Sequence, residues 1–565
     1  MRFRILSRMI WNGSVAIHCW GSMIAIALNV TLLAITLQIT RLPTTLMAFS
    51  NLRSRLQPFS TAQFIIPLFA TLGLIGILHH DMWRDEMNTW LIVRDSASVG
   101  EMLGYVNYQG HPALWALLVA SVQQVWHHPI AMQLLHWALG TGAIAIFWLH
   151  SPFSRWQKVL FTFGYIPFYE YFLISRPYVL GMLCLFLFCA VYPTRKRTYI
   201  WVAIALGLMA NSHAFAAIIS LAAAITLGLE WVLDAQHRSA YLAQAKRYDL
   251  WLSFVIIGGL YGFAFVILNP PIDSANVGGR DGWNLVWESR RFFRVLGRLL
   301  GAYTLIIPNS RRWLDLILCD IVGISMAVIM GMKLMRDRTS FLFFTLATGF
   351  LLSFFYLRFM GHGTRHYAFV YLILMAALWL AQDHFGPPWY SIKTIKILGR
   401  KFSLETAYSL LLSLILSVHL VGGLYRFTLD LSVPFSAARA TAVYLQKSNL
   451  NDEFMVASPD TNMAALAGYL DRQLYYPELQ GLGSFTIFQQ GRRIAVNQRD
   501  ILRQIRTLIP TIGTCRVVLV LVEPLETELP RLDIEPLAEF TDSWHRSERM
   551  YLYWVTPTRK ARCPS

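Results

Sequence analysis

Apolar runs dominate this chain, and short polar stretches separate them. Most have the roughly 17 to 25 residues that a helix needs to cross a bilayer. Eleven spans are predicted: Ala62 to Leu78, Pro129 to Leu149, Gln157 to Leu173, Tyr178 to Tyr192, Tyr199 to Asn211, Ala214 to Leu233, Leu250 to Leu268, Trp313 to Met332, Thr339 to Tyr356, Tyr367 to Ala381 and Leu404 to Phe427. The runs starting at Tyr178 and Tyr199 are short, so they must tilt, lengthen or lean on neighbours. His111 to Trp126 is also apolar, but its sixteen residues reach about 24 Å against a hydrocarbon core of about 30 Å. It is expected to lie in the outer interface, within a first outer loop, 79–128, that carries its own surface helices.

After Phe427 the long runs stop and short elements of mixed period take over. Helices are predicted at Ala437 to Lys447, Asn462 to Leu470 and Arg499 to Ile509, and strands at Phe454 to Ala457, Arg516 to Val522 and Met550 to Val555. The expected fold class is mainly α: a polytopic membrane protein, about eleven or twelve helices in a transmembrane domain over 62–427, with a small C-terminal α/β domain over 428–565. In the N-terminal segment, 1–61, Ser14 to Ile39 is apolar enough to span, but Arg residues flank it on both sides. An accessory helix, a signal-like anchor and upstream sequence ahead of a start at Met47 all stay open.

Charge then sets the orientation. The chain carries a net charge of +17, which in a soluble protein would suggest nucleic acid, yet 55% of its residues are hydrophobic and only 14% charged. The Lys and Arg cluster in short loops, at Arg53 and Arg55, Arg155 and Lys158, Arg195 to Arg197, Arg238 to Arg247, Lys333 to Arg338 and Lys393 to Lys401. This is the positive-inside pattern, not a nucleic-acid footprint. It puts those loops in the cytoplasm and the C-terminal domain outside. The six cysteines show no zinc or disulfide-framework spacing.

Outward loops should be poor in Arg, and five loci at the outer face either break that rule or share the face: Trp83 to Glu86, Glu170 to Tyr178, Asn211 to Phe215, Gly279 to Arg312 and Tyr356 to Tyr367. Residues distant in sequence meet when their loops share one end of a helical bundle. A carboxylate there takes a proton from a hydroxyl, while guanidinium and imidazole groups hold phosphate oxygens. That combination suits group transfer from a lipid phosphate. In a helix over Trp287 to Leu300, Arg291, Arg294 and Arg298 share one face and an apolar stripe covers another. Such a helix is expected to lie in the interface with its Arg at headgroup depth.

A membrane helix, an outer loop opening with Asp85-Glu86, the juxtamembrane Gly110-His111-Pro112, many further spans and an outer C-terminal domain together resemble the GT-C glycosyltransferases that use polyprenyl-phosphate sugars. Protein O-mannosyltransferases and the aminoarabinose transferase of lipid A are of that type. The resemblance implies an inverting single displacement in which Asp85 activates the acceptor hydroxyl and the lipid phosphate leaves. Glu86 would orient the acceptor or hold an Arg. Arg176, Arg365, His366, Arg358 and His362 are candidates for the donor phosphate; Glu170, His111, His213, Arg291, Arg294 and Arg298 are candidates for the rest of the substrates. Where the family often has two prolines after the His, this chain has Pro112 and Ala113.

No cofactor is predicted. A divalent metal is the alternative use of the outer histidines, but only His362 and His366 have i, i+4 spacing, and Gly361 and Gly363 work against a helix there. The expected partners are a polyprenyl-phosphate sugar, a glycan, lipid or protein acceptor, and membrane lipids. The expected location is a bacterial cytoplasmic membrane, with the endoplasmic reticulum as the alternative. Rival functions are an oligosaccharide ligase or polymerase acting on lipid-linked substrates, a flippase or transporter, for which no internal repeat is found, and a non-catalytic assembly protein.

Overall fold

Among the described residues of the computed structural model, eight helices are long and apolar enough to cross a membrane: Thr61–His79, Ile130–His150, Tyr178–Lys196, Ala214–Leu233, Asp249–Leu268, Leu316–Leu334, Arg338–Leu357 and Leu404–Asp430. The structure describes residues 61–276, 282–305, 313–361, 363–381, 394–397, 400–493 and 495–558. Ser14 to Ile39, His362 and parts of the Gly279 to Arg312 loop therefore lie outside the described residues. Two shorter apolar helices, Ile200–Ser212 and Thr364–Leu380, fall on two more predicted spans. Leu114–Gln123 is too short to cross, in keeping with an interfacial placement.

The remaining predicted span, Gln157 to Leu173, is not one helix. An α-helix, Arg155–Thr162, gives way at Gly164 to a π-helical turn, Tyr165–Glu170, and then to irregular chain. The segment still runs from end to end of the bundle. Lys158 donates to the Trp148 carbonyl at one end, and at the other Ser175 N–H donates to Glu86 Oε1 at 2.6 Å. It passes through the centre, so its irregular backbone is shielded by protein rather than lipid. Phe172 there is buried and fills a slot between the helices Thr61–His79 and Ile130–His150, where a Cβ at Gly73 or at Gly140 would overlap its ring. Gly140→Ala is therefore expected to cost about 1–3 kcal/mol by overpacking. A lowered melting temperature in detergent, partly restored by adding Phe172→Leu, would bear this out; an unchanged one would refute it.

The loop 79–128, expected to face outward, folds as three short helices, Arg84–Asp95, Val99–Asn107 and Leu114–Gln123. The first begins where it does because Asp85 and Glu86 occupy its first turn, where acids favour a helix N-terminus, and Glu86 Oε2 also accepts from Trp83 N–H. Gly110 has φ +69°, a left-handed turn that glycine adopts without strain, and it reverses the chain so that His111 follows at the same face.

The helix Ser289–Gly301 corrects one expectation. Its Arg face does not lie free among headgroups: Arg298 is buried and donates to the Gly361 carbonyl at 2.8 Å, and Arg291 donates to the Tyr356 carbonyl at 2.8 Å. Arg294, one turn from each, is half-buried. The face grips the Tyr356 to Gly361 segment.

Two short strands, β1 (Thr394–Ile397) and β2 (Arg400–Ser403), form an antiparallel pair before the last long helix. After Asp430 come β3 (Met455–Ser458), β4 (Leu474–Tyr476), β5 (Gly481–Gly483), β6 (Val517–Leu521), β7 (Leu532–Phe540) and β8 (Met550–Pro557), in one sheet of order β5-β4-β3-β6-β8-β7. β3 runs parallel to β4 and β6, and the other pairs are antiparallel. Side chains of β6 alternate between two cores. Val518 and Val520 pack with Met87 and Trp90 of the outer loop, while Val517, Leu519 and Leu521 pack under the helix Gln498–Ile512. The sheet thus sits directly on the helix that carries Asp85. Cys515, just before β6, is disulfide-bonded, a bond that the cysteine spacing did not announce.

Candidate active site at the Asp85 end of the bundle

The side chains that mark four of the five outer loci converge on Asp85; the fifth, Gly279 to Arg312, reaches it indirectly. Asp85 Oδ2 accepts from Arg176 Nη1 at 2.7 Å and lies 3.4 Å from Arg365 Nη2, and Arg84 Nε stands 3.9 Å from Oδ1. Burial alone would raise the Asp85 pKa, but Arg176, Arg365, Arg84 and His366 outweigh it and hold the carboxyl below its ordinary value. Asp85 is therefore ionised at neutral pH.

Each arginine is braced. Arg365 lies 4.8 Å over the Trp83 ring and Arg176 5.5 Å from the Tyr178 ring, contacts that suit a delocalised cation. Tyr171 donates its hydroxyl to the Arg365 carbonyl at 2.7 Å. Arg298 and Tyr367 both donate to the Gly361 carbonyl, and Gly363 N–H donates to His366 Nδ1 at 3.2 Å. Arg291 and Arg298 thus support the segment that carries Arg358, Arg365 and His366. The Nε of Arg176 and that of Arg365 are buried without a hydrogen-bond partner, a costly state that a bound anion would relieve.

Asp85 forms part of the wall between two cavities. The larger, about 800 Å³, is lined by Arg176, Arg358, Arg365, His111, His213 and His366 at its polar end and by apolar side chains beyond. The smaller, about 170 Å³, lies toward the C-terminal domain and includes Arg84, Thr89, Trp115, Thr461 and Phe488 in its lining. The Asp85 side chain is 30% accessible, and it lines both spaces.

His111 and His213 face each other with ring centroids 4.9 Å apart, and His111 Nδ1 and His213 Nε2 lack partners. Burial, aided by Arg176 and only partly opposed by Asp85, pushes His111 down to about 3. A neutral imidazole suits a sugar hydroxyl better than a phosphate. Among the described residues no group of three His, Cys, Asp or Glu is arranged to hold a metal.

Glu86, expected to orient the acceptor or hold an Arg, is buried with both oxygens engaged: Oε1 by Ser175 N–H, Oε2 by His80 Nε2 at 3.0 Å and by Trp83 N–H. Glu170 is buried and accepts from the Tyr165 hydroxyl. Three groups at this end escaped the sequence reading. Arg426 lies over Tyr169 and Trp544, His545 stacks on Trp83, and Glu548 lies 3.7 Å from Arg84. Arg426 interrupts the apolar run of the last span near its outer end, and that interruption was its available signal.

No protein-family model and no curated protein matches the chain. Among solved structures it is similar to ArnT from Cupriavidus metallidurans in the apo state, at 13% identity and a TM-score of 0.48, over 88% of this chain and 98% of that one. ArnT bound to undecaprenyl phosphate aligns at 12% identity and a TM-score of 0.44, over 87% and 98%. The arabinofuranosyltransferase AftD from Mycobacteria aligns at 11% identity and a TM-score of 0.33, over 87% of this chain and 41% of that one. Overlaps this loose leave the function to be argued from the site.

Proposed function

We propose that this protein transfers a sugar from a polyprenyl-phosphate carrier to a hydroxyl acceptor at the outer face of the membrane, by inverting displacement with Asp85 as general base. The observation that carries the reading is one carboxylate held by Arg176 and Arg365 in the wall between a large, mainly apolar cavity and a small one of mixed polar and apolar lining. The larger cavity fits the donor. Leu221 and Phe265 line it and are also exposed on the flank of the bundle, so a lipid tail has a lateral way in. Arg176, Arg365, Arg358 and His366 meet the phosphate, and His111 and His213 meet the sugar. The acceptor approaches from the smaller cavity, on the other side of Asp85.

The resting ion pairs suggest how the base is switched on. A donor phosphate competes with Asp85 for the two guanidiniums, which share their charge-assisted bonds with it. As they turn to the phosphate, the Asp85 pKa rises toward its ordinary value and the carboxylate becomes a better proton acceptor. The acceptor oxygen attacks the anomeric carbon, the bond to the phosphate breaks, and the lipid phosphate leaves with its charge held by the same arginines. Orientation with the C-terminal domain outside is supported by the charge of the loops and by the bonded Cys515, since disulfides persist in oxidising compartments.

Proteoliposomes offered a panel of labelled polyprenyl-phosphate monosaccharides with an envelope-glycan extract test this. Label should leave the lipid for a new product, and Arg365→Gln should lower kcat/KM for the donor about 10- to 100-fold. Labelled lipid crossing the bilayer without transfer would defeat the proposal.

A further inference from the structure

The C-terminal domain reaches the Asp85 helix through the turn at residues 543–549. His545 stacks on Trp83 at 4.8 Å and Arg84 Nη1 donates to Ser547 Oγ at 3.4 Å, while Asn462 of the same domain holds the turn by donating to the Ser547 carbonyl at 2.6 Å. Glu548 lies inside this contact with no solvent exposure. Its Oε2 accepts from Ser436 Oγ at 2.9 Å, but its Oε1 has no hydrogen-bond partner and stands 3.7 Å from Arg84 Nε. The same Nε is 3.9 Å from Asp85 Oδ1. A buried carboxyl oxygen left without a hydrogen bond is expensive, and packing alone would be served by a glutamine or an apolar residue.

Resting on the reading of Asp85 as base, we propose that Glu548 is a positioning residue for sugar transfer: it shares Arg84 with Asp85 and so sets how firmly Arg84 holds that carboxylate. The charged groups that face Glu548 are Arg84 and, behind it, Asp85, both on the helix Arg84–Asp95. The linker after the last span brings the uncharged Ser436 hydroxyl to the carboxyl and the Ala437 N–H to the Glu548 carbonyl at 3.2 Å. On its own turn His545 is neutral, because burial, with Arg365 and Arg84 nearby, keeps it at about 4. Burial raises Glu548 to about 7 against the lowering pull of Arg84 and Ser436. Above that pH Glu548 carries its charge, Arg84 is divided between two carboxylates, and Asp85 accepts the acceptor's proton more readily. Below it, Arg84 turns wholly to Asp85 and weakens it as a base. The C-terminal domain is on this account part of the reaction's electrostatics and not only a cover.

The test is the pH profile of kcat in proteoliposomes for wild type, Glu548→Gln and Glu548→Asp, with donor KM and melting temperature measured for each. Wild type should rise about three- to tenfold through neutrality. Glu548→Gln should stay flat at the low-pH level with a donor KM within about twofold of wild type, and Glu548→Asp should keep the rise. Infrared difference spectra of purified wild type should show a carboxyl band lost near neutral pH and missing from Glu548→Gln. A Glu548→Gln enzyme that keeps the wild-type rise, or that loses activity equally at every pH with a lowered melting temperature, overturns the proposal. So does the absence of the infrared band, even where transfer itself is normal. If the band titrates but wild type transfers no sugar from any donor, the transferase reading fails and this role falls with it.

Discussion

Asp85→Asn should bind the donor at least as tightly as wild type and transfer its sugar about 10²- to 10⁴-fold more slowly. The amide keeps the shape of the side chain but cannot take the acceptor's proton. It also removes the negative charge that Arg176 and Arg365 now satisfy at 2.7 and 3.4 Å, so both guanidiniums meet the donor phosphate without a competitor. A fall in turnover paired with unchanged or tighter donor binding is hard to obtain from misfolding. Single-turnover transfer with donor retention measured alongside separates the two quantities. Loss of donor binding in step with activity would make Asp85 an anchor for the arginines rather than the base.

The second large effect falls on folding. His80 is buried between Glu86 Oε2 at 3.0 Å and Asp430 Oδ2 at 2.9 Å, which joins the first described span, the Asp85 helix and the end of the last span at one point. Burial alone would lower its pKa, but Asp430 and Glu86 together raise it well above the ordinary histidine value. His80→Ala leaves two buried carboxylates without their cation and is expected to cost about 3–5 kcal/mol. Because His80 binds its proton more tightly in the folded state, its contribution is complete below about pH 6.5 and fades as the pH climbs toward the raised folded value. The wild-type melting temperature should accordingly fall on the alkaline side, and that part of the slope should vanish in His80→Ala. Identical melting curves for the two proteins would remove His80 from the account.

The sequence was most informative where one strong physical rule acts over a long stretch. Lipid demands continuous apolar helices, and ten of the eleven predicted spans coincide with apolar helices. The same rule made the outer Arg and His conspicuous, and the structure places Arg176, Arg358, Arg365, His111, His213 and His366 around one cavity with Asp85. Gln157 to Leu173 misled because from Phe161 onward the run is almost wholly buried and carries no periodicity: its composition reports burial, not helix, and the break at Gly164 is packed by partners far away in sequence. His80 and Asp430 are 350 positions apart, so nothing local could announce that pair. β7 was missed since Pro536 interrupts its alternation; it is an edge strand, with a bulge between Pro536 and Ala538 where proline is tolerated.

The seam between the sheet domain and the bundle bears on engineering. Asn88 accepts from Thr486 N–H, Gln109 donates to the Thr486 carbonyl, Ser484 donates to Asp95, and Asp273 takes bonds from both Tyr108 and Gln489. These contacts draw on three separate stretches of the membrane half, so the tail is not a cassette. A chimera that replaces residues 431–558 with the tail of another protein must import matching partners at Asn88, Asp95, Gln109 and Asp273, or it will assemble with the Asp85 helix unsupported. Natural variation should obey the same restriction, with substitutions along the strap at 484–490 accompanied by changes on the surface it crosses.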